Sequence, residues 1–266
     1  MMIIEYLFIV LACNCECHCH VRETNLKIDF SLSYTALLTF HIKMNTLTDE
    51  ILHICAHLSD KDNVHLSATS KRLSYIKFRI LFFTKVHIKD IIHLSYFHQF
   101  SDVIMSDTNE SLPKHTDRLT FGNRLNQSID DCVPNSVTHL TFGGSFNQSI
   151  NGCIPDSVTH LTFGGNFNQS INSCIPKFVT HLTFGYCFNQ PINGCIPDSV
   201  THLTFGGNFN QSINGCIPKS VAHLTFGWHF NQAINSCVSD SVRNLFLTNN
   251  YKHQINENRS LKVTMR

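Results

Sequence analysis

A histidine recurs every 21 residues along the second half of this 266-residue chain, each time followed by Leu-Thr-Phe-Gly. The five positions are His139, His160, His181, His202 and His223. Imidazoles repeated at one strand spacing could bind a metal ion or sense pH, because stacked like charges lower one another's pKa. The plainer interpretation is a polar ladder beside the neighbouring threonines. No nucleophile with an orienting carboxylate accompanies the histidines, so we predict a protein that is not an enzyme and has no catalytic residue.

A cysteine recurs with the same 21-residue interval. The positions are Cys132, Cys153, Cys174, Cys195, Cys216 and Cys237. A disulfide between neighbouring coils would need well-aimed side chains at every step, whereas unpaired cysteine is a small buried hydrophobe. No pair among these six has C-x-x-C spacing, which disfavours a structural zinc site. We therefore predict buried free thiols, no metal site and no cofactor, with disulfides and metal binding as the alternatives.

The element that must position these residues is a 21-residue word repeated six times without a gap. The copies open at Leu125, Phe146, Phe167, Phe188, Phe209 and Phe230, and Tyr251 occupies the next slot. A half coil precedes them from Leu112. Such regularity predicts a solenoid in which each coil buries its apolar face against the next.

The interior of one coil can be assigned from one copy. Residues 158–163 alternate, with Leu161 and Phe163 on one face and His160 and Thr162 on the other, which predicts one short parallel strand per coil. The apolar positions that can fill the core of this copy are Phe146, Ile150, Cys153, Ile154, Val158, Leu161 and Phe163. The asparagine after each opening residue, such as Asn147, is expected to tie the turn backbone of neighbouring coils through its side-chain amide.

Two columns vary while the others stay constant. The residue after proline alternates in charge between coils, as at Asp156 and Lys177, which favours the correct stacking register. The residue after the strand glycine is aromatic at Tyr186 and Trp228 and is glycine in the other interior copies, at Gly144, Gly165 and Gly207. We expect target recognition at this rim, or packing of the two rings against the next turn as the alternative. The predicted target-binding residues are Tyr186, Cys187, Trp228 and His229 on the rim and His160, His181 and His202 on the sheet face.

The Phe-Asn-x-x-Ile opening and the Val-x-x-Leu-x-Phe strand together resemble the FNIP repeat, a relative of the leucine-rich repeat. The family often has proline at the fourth position, which here occurs at Pro191. The resemblance covers roughly half of the chain. It implies a leucine-rich-repeat-like solenoid with one parallel strand per coil.

The segment before the repeats resembles an F-box, the module by which substrate receptors dock onto the Skp-type adaptor of cullin-RING ubiquitin ligases. The similarity lies in residues 47–52 (LTDEIL), 58–63 (LSDKDN) and 70–73 (SKRL), where Thr48, Asn63 and Leu73 depart from the family pattern. A helix start is expected at Ser59, with an acidic residue three positions on. The core of some other small helical domain is the alternative. By resemblance, the residues facing the adaptor would be Leu47, Ile51, Leu52 and Leu58.

Residues 1–43 fit neither module. The apolar stretch at 2–13 is too short to span a bilayer and lacks the positive start of a signal peptide. The cluster of Cys13, Cys15, Cys17, His18, Cys19 and His20 is dense enough to bind a soft metal ion. The alternative that we favour is translation from Met44, or a disordered extension.

Taken together, the sequence predicts an α+β multi-domain protein in which a small helical F-box-like module precedes a leucine-rich-repeat-like solenoid. The expected parts are a doubtful extension at 1–43, the helical module at 44–90, a linker and cover at 91–111, the solenoid at 112–256 and a polar tail at 257–266. We expect the tail to fray after Ile255.

The whole-chain charge agrees with an intracellular binder. A net charge of +1 with 15% charged residues leaves no electrostatic footprint for nucleic acid. The expected function is that of a substrate-receptor subunit of a cullin-RING ubiquitin ligase, with a Skp-type adaptor, a cullin and an unknown target protein as partners and no membrane contact. The expected location is the cytoplasm, and the family resemblance implies a host cell's cytoplasm or nucleus. A scaffolding solenoid without any ligase link is the alternative.

Overall fold

The computed structural model describes residues 59–61, 63, 76–235, 237–255 and 261–265, and the chain divides after Ile80 into two compact units. In the first unit, Asp60, Lys61 and Asn63 are helical, and the Asn63 N–H donates to the Ser59 carbonyl oxygen at 3.0 Å. The predicted helix start at Ser59 is confirmed by this turn. A 3₁₀ helix follows at Ile76–Phe78. The four predicted adaptor-facing residues, Leu47, Ile51, Leu52 and Leu58, lie outside the described residues.

The second unit is built on a parallel sheet of ten strands whose spatial order is their order in the chain. The strands are β1 (Val86–His87), β2 (Asp102–Met105), β3 (Arg118–Phe121), β4 (His139–Thr141), β5 (His160–Thr162), β6 (His181–Thr183), β7 (His202–Thr204), β8 (His223–Thr225), β9 (Asn244–Leu247) and β10 (Lys262–Met265). A short helix α1 (Ile88–Ile91) and a 3₁₀ helix (Phe97–Gln99) lie between β1 and β2. The predicted solenoid with one short parallel strand per repeat is therefore confirmed.

The register of the sheet follows the repeat residue by residue. From β4 to β8, histidine pairs with histidine, leucine with leucine and threonine with threonine. In each of these strands the leucine is buried and its two neighbours are half-buried, as the alternation predicts. The paired strands are shorter than the predicted 158–163, although the hydrogen bonding continues past them, since the Phe163 N–H donates to the Thr183 oxygen at 2.8 Å.

Two phenylalanines per repeat form continuous stacks within the core. Phe163 and Phe167 stack within one coil at a centroid distance of 4.1 Å, and each also stacks on its equivalent in the next coil. Both rings are at most 1% exposed. Burying one such side chain contributes about 1.5–3 kcal/mol, so these two continuous stacks are a main source of the solenoid's stability.

The predicted amide ladder is confirmed. Each coil's asparagine Oδ1 accepts the backbone N–H of the next coil's asparagine, for example Asn168 to Asn147 at 2.9 Å. The following glutamine, Gln169, donates from Nε2 to the Asn147 carbonyl oxygen and Oδ1. The ladder is directional and ends at Lys252, whose N–H donates to Asn231 Oδ1 at 3.1 Å but whose own side chain has no acceptor oxygen.

The cysteines are less buried than the sequence predicts. Among the described cysteines, Cys153 and Cys216 are buried, and the others are half-buried. All are free thiols. The six repeat cysteines lie in the turn that follows the buried isoleucine, where the chain reaches the surface, and the Cys174 Sγ, for example, donates to the Asn172 carbonyl oxygen at 3.2 Å.

The ends of the sheet differ from the 21-residue repeat. Val86 pairs with Val103 and Val103 with Leu119, so the first coils are 17 and 16 residues long. The sheet thus begins within the residues assigned to the helical module and runs through the predicted cover. At the other end, Lys262–Met265 pairs with β9, which corrects the expectation that the tail frays after Ile255. The physical reason is that Val263 lies opposite Leu245 in a strand whose apolar and polar residues still alternate.

Candidate functional site

The histidine ladder, defined as His139, His160, His181, His202 and His223, lies on the outer face of the sheet. Neighbouring rings stack at centroid distances of 4.1 to 4.2 Å with interplanar angles of 8 to 12°. The rings are half-buried. Strands in register place equivalent side chains directly beside each other, so the sequence repeat alone aligns the five imidazoles.

A threonine precedes each of the first four ladder histidines and holds the ring at Nδ1. Thr180 Oγ1 lies 3.2 Å from the Thr159 carbonyl oxygen and 2.9 Å from His181 Nδ1. That carbonyl oxygen also accepts the backbone N–H groups of Thr180 and His181 at 2.8 and 3.1 Å. The hydroxyl and the ring therefore share a hydrogen bond in which either partner can donate, depending on the ring tautomer. The same pair of contacts occurs at Thr159 and Thr201.

The two ends of the ladder differ in this respect. Thr138 Oγ1 donates to the Asp117 carboxylate, which can only accept, so His139 carries its proton on Nδ1. Ala222 stands where the other coils have threonine, and His223 Nδ1 instead accepts from Asn244 Nδ2 at 3.0 Å. The proton of His223 therefore lies on Nε2.

Burial and neighbouring rings disfavour the charged imidazole. Desolvation is the main cause that lowers the pKa of His139, His160, His181 and His202, and nearby histidines lower it further. The guanidinium of Arg118, which pairs in register with His139, acts in the same direction on His139 and His160. These four imidazoles are consequently held in the neutral form at physiological pH, mainly by desolvation.

A second outer column carries hydroxyl groups. It consists of Thr141, Thr162, Thr183, Thr204 and Thr225, all half-buried. The column becomes apolar at both ends, with Ile104 opposite Thr120 in β2 and Phe246 opposite Thr225 in β9. The middle of the sheet face is therefore uniformly polar and presents hydrogen-bonding atoms at each coil.

The aromatic rim, defined as Tyr186, Cys187, Trp228 and His229, follows the C-terminal ends of β6 and β8. Tyr186 and Trp228 are 57% and 58% exposed. A Cβ placed on Gly207 would lie 2.4 Å from Tyr186 Cε2, so the tyrosine ring covers the backbone of the next coil. For Tyr186 the packing alternative is confirmed, because the ring lies on the next turn, and more than half of its surface is still exposed.

Phe178 is an exposed aromatic residue that the sequence analysis missed. It is 54% exposed, and Lys177 Nζ lies 5.0 Å from its ring centroid. Lys177 also pairs with Asp156 at 3.5 Å, which confirms the predicted charge alternation at this step. The sequence does contain a signal for Phe178, because every other coil has serine at this position. That serine has a structural role, since Ser199 Oγ, for example, donates to the Val179 carbonyl oxygen at 2.6 Å.

A cleft of about 520 Å³ lies beside the first coils. Its acidic groups include Glu110, Asp130 and Asp131. Hydrogen bonds from Ser128 and Cys153 lower the pKa of Asp130. Burial, together with the Asp130 and Asp131 carboxylates, raises the pKa of Cys132, the thiol that lines the cleft, which keeps that sulfur protonated and unreactive. The cleft thus lacks an activated nucleophile among its described residues.

The described part of the chain contains no group of three or more His, Cys, Asp or Glu side chains that could enclose a metal ion. Within the same residues there is no helix with the length and apolar character needed to cross a membrane.

Comparison with known proteins gives consistent results. The search of curated proteins found no match. The solved structure described as CroV588, a novel circular LRR protein, is similar with a TM-score of 0.56 and 37% sequence identity. The matched region covers 63% of this chain and 30% of CroV588, so the chain spans less than a third of that protein.

The FNIP Repeat family matches this chain at residues 108–145, 146–187, 188–229 and 209–248. The solenoid is thus of the leucine-rich-repeat-like kind, a fold typical of proteins that bind other proteins rather than of enzymes. Because the four matches run without a gap over more than half of its residues, the chain belongs to the FNIP-repeat family.

Proposed function

We propose that the chain is a substrate receptor, which captures a target protein with its solenoid and links that target to a cullin-RING ubiquitin ligase through an F-box-type segment at 44–90. The receptor is not itself catalytic, because associated enzymes transfer the ubiquitin. Its place of action is the cytoplasm, where the ligase acts. Target binding by the solenoid and adaptor binding by the F-box-type segment are separable and have separate tests.

The observation that carries target binding is the exposure of Tyr186 and Trp228. Both occupy a column where the sister coils have Gly144, Gly165 and Gly207, so neither ring is needed to build the coil. Aromatic side chains are enriched among the residues that contribute most to protein interfaces. Two strand spacings of about 4.8 Å separate the rings along the solenoid by roughly 10 Å.

The sheet face offers a second contact region. His160, His181 and His202 supply half-buried imidazole rings, and the threonine column lies beside them. A face of this kind binds through hydrogen bonds, whereas the rim binds through apolar area. A target that contacts both would gain affinity from the rim and orientation from the face.

Target binding is tested by changing Tyr186 and Trp228 together to Gly in the full chain. Partners captured by the natural chain in cells are identified by crosslinking, and their binding to the purified variant is then measured. We expect at least a tenfold loss of affinity for the principal partner. Unchanged affinity would exclude the rim as the target site.

The matched control for that variant is the change of Phe178 to Ser, which restores the residue of the sister coils at an exposed aromatic away from the rim. This control should bind the partner as the natural chain does. Equal thermal unfolding midpoints for all three proteins would show that the loss is not a folding defect.

Adaptor binding is supported by the resemblance of residues 47–52, 58–63 and 70–73 to the F-box and by their position directly before a repeat array. The helical turn after Ser59 is compatible with this assignment. A short helical module can barely stabilise itself, which makes an adaptor surface a plausible way to bury its apolar residues.

The test is a pull-down of purified Skp-type adaptor and cullin by the full chain and by a variant with Ile51 and Leu52 changed to Glu. We expect the natural chain to capture the adaptor and the variant to lose it. Lys61→Glu, a change of an exposed residue in the same segment, should keep the interaction. No capture by the natural chain would contradict the ligase link while leaving target binding by the solenoid intact.

A scaffolding solenoid without an adaptor remains the second candidate. One observation favours it: the parallel sheet begins at Val86 and continues through residues 91–111, so part of the segment assigned to the helical module belongs to the array itself. In that case the pull-down fails and the rim variant still loses its partner.

A further inference from the structure

We propose that the aromatic rim binds a proline-rich segment of the target protein in the polyproline II conformation, with two prolines three residues apart packed on Tyr186 and Trp228. The segment runs along the solenoid axis and crosses the coil that separates the two rings. This inference names the chemistry of the partner, so it rests on the proposed capture of a target protein at the rim. It is independent of the link to a ubiquitin ligase.

The distance between the two aromatic residues is the first argument. One coil lies between them, so their backbones are two strand spacings apart, which is roughly 9.6 Å along the axis. A polyproline II helix rises about 3.1 Å per residue with three residues per turn, so side chains on one face recur about every 9.3 Å. An extended strand presents same-face side chains about every 6.6–6.8 Å. The strand therefore does not place two of its side chains on the two rings.

The surface between the rings is the second argument, because it separates a polyproline II segment from an α-helix. A helix repeats over a similar distance, about 10.5 Å per seven residues, but it binds through a continuous apolar groove with further anchors at i+3 and i+4. Those anchors would meet Gly207 and the polar Asn208 of the intervening coil. A polyproline II segment contacts the surface at every third residue, so it needs aromatic area at both rings and none between them.

The hydrogen bonding of the sheet excludes a third kind of peptide recognition. A peptide that adds a strand to a sheet needs an unpaired strand edge. The strands that precede the two rings, β6 and β8, are each paired on both sides. The rim therefore offers side chains to a partner and not a strand edge.

Charge and hydrogen-bonding groups at the rim agree with a neutral partner. Residues 178–197, 199–218 and 220–239 contain no Lys, Arg, Asp or Glu, so the rim has no group complementary to a charged motif. Proline-rich segments dock on aromatic surfaces and keep their backbone carbonyls solvated. The Tyr186 hydroxyl and the Trp228 indole N–H can donate to such carbonyls, and within the described part of the chain no group accepts from either.

The first test selects peptides from a phage-displayed random library on the immobilised full chain. We expect the selected sequences to carry prolines at intervals of three residues. A synthetic copy of the best binder should lose about tenfold or more in affinity with Tyr186→Gly and with Trp228→Gly. Selected peptides with a helical apolar pattern, or with equal affinity for the natural chain and both variants, would overturn the proposal.

Moving one aromatic residue along its column tests the spacing. Tyr186→Gly with Gly165→Tyr separates the two aromatic side chains by three strand spacings, roughly 14 Å, or about one and a half polyproline II turns. Tyr186→Gly with Gly144→Tyr separates them by four spacings, roughly 19 Å, or about two turns. A Cβ has room at both sites, since the nearest atoms would lie 3.8 Å away at Gly144 and 3.7 Å away at Gly165.

We expect the variant with three spacings to lose the selected peptide. The variant with four spacings should bind a longer peptide whose prolines lie six residues apart. In both variants a glycine follows the moved aromatic residue in the next coil, as Gly207 follows Tyr186 in the natural chain. Equal binding of both peptides by both variants would contradict the match between turn and coil.

The partner captured in cells separates this proposal from the proposed function. We expect the selected peptide to compete with that partner for the full chain. A partner that needs Tyr186 and Trp228 but does not compete would leave the receptor function standing and refute the proline-rich segment. A partner that binds the double glycine variant as tightly as the natural chain would refute the rim as the target site and this proposal with it. Equal thermal unfolding midpoints show that the variants are folded.

Discussion

Two successive positions follow the strand in each 21-residue repeat, and they differ in whether they tolerate a side chain. The first glycine column, Gly143, Gly164, Gly185, Gly206 and Gly227, touches the coil before it: a Cβ on any of them would lie 2.0 to 2.2 Å from the preceding coil's glycine carbonyl oxygen. The second column has room and accepts Tyr186 and Trp228. The contrast teaches that identical-looking repeats contain positions fixed by stacking and positions left open for recognition.

The largest effect is expected where stacking forbids a side chain. Gly185→Ala would place its Cβ 2.0 Å from the Gly164 carbonyl oxygen, and backbone on both sides must then move. We expect a loss of about 3 kcal/mol or more in the free energy of unfolding, measured by urea denaturation. Gly165→Ala, whose Cβ would lie 3.7 Å from the nearest atom, should stay within about 0.5–1 kcal/mol of the natural chain. Similar losses in both would contradict the distinction between the columns.

The amide ladder gives the next largest effect. Asn168→Ala removes the Oδ1 that accepts both the Asn189 N–H and Gln190 Nε2, so donors in a half-buried turn lose their partner. We expect destabilisation by about 1–2 kcal/mol in the same assay. Asn166→Ala changes an exposed asparagine of the same coil and serves as the control, with an expected effect within about 0.5 kcal/mol.

A double-mutant cycle sharpens the comparison further. Gly207→Ala meets the Tyr186 ring at 2.4 Å, and that ring can turn aside at modest cost. We expect a loss of about 1 kcal/mol in the natural chain and almost none when Tyr186 is already Gly. A loss that is the same in both backgrounds would mean that the second column is restricted by backbone rather than by the aromatic ring.

The smallest effect concerns pH. His160, His181 and His202 have lower pKa values in the folded protein than in the unfolded chain, so the unfolded chain binds more protons as the pH falls. Stability should thus be full above the ordinary histidine pKa of 6.5 and decline as the pH falls from about 7 toward 5. The urea midpoints of the metal-free protein at several pH values check this. Replacing His160 and His181 by Asn should flatten the profile, and an unchanged profile would assign the pH dependence to other groups.

The sequence predicts those features of the fold that recur in every 21-residue repeat. It predicts the strand, the register of histidine on histidine, the alternation around Leu161 and the amide ladder, because an exact 21-residue interval leaves one way to stack the coils. The sequence does not predict the coils in which this interval changes. The coils at both ends are 16 to 18 residues long and lack the His-Leu-Thr motif, and β10 lies in the segment that the sequence predicts to be a polar tail.

For the candidate site, too, the sequence predicts some features and not others. The exposure of Tyr186 and Trp228 followed from their place in a glycine column, although the contact of Tyr186 with Gly207 depends on a side-chain direction that spacing does not reveal. The hydrogen bond at each ring's Nδ1 depends on Thr180 and its equivalents, which the sequence does not distinguish from the other threonines of the repeat. Residues 47–58, which carry the adaptor prediction, stay a sequence-based expectation.

The direction of the amide ladder has a consequence for how such an array changes length over generations. Every coil from Asn126 to Asn231 receives the next one through the same oxygen, so deletion or duplication of whole coils upstream leaves each joint with its partner. The side chain of Lys252 has no oxygen that could accept an N–H from a following coil, so the amide ladder ends at this residue. Recombination between near-identical copies can therefore lengthen or shorten the protein while its first and last coils are inherited unchanged.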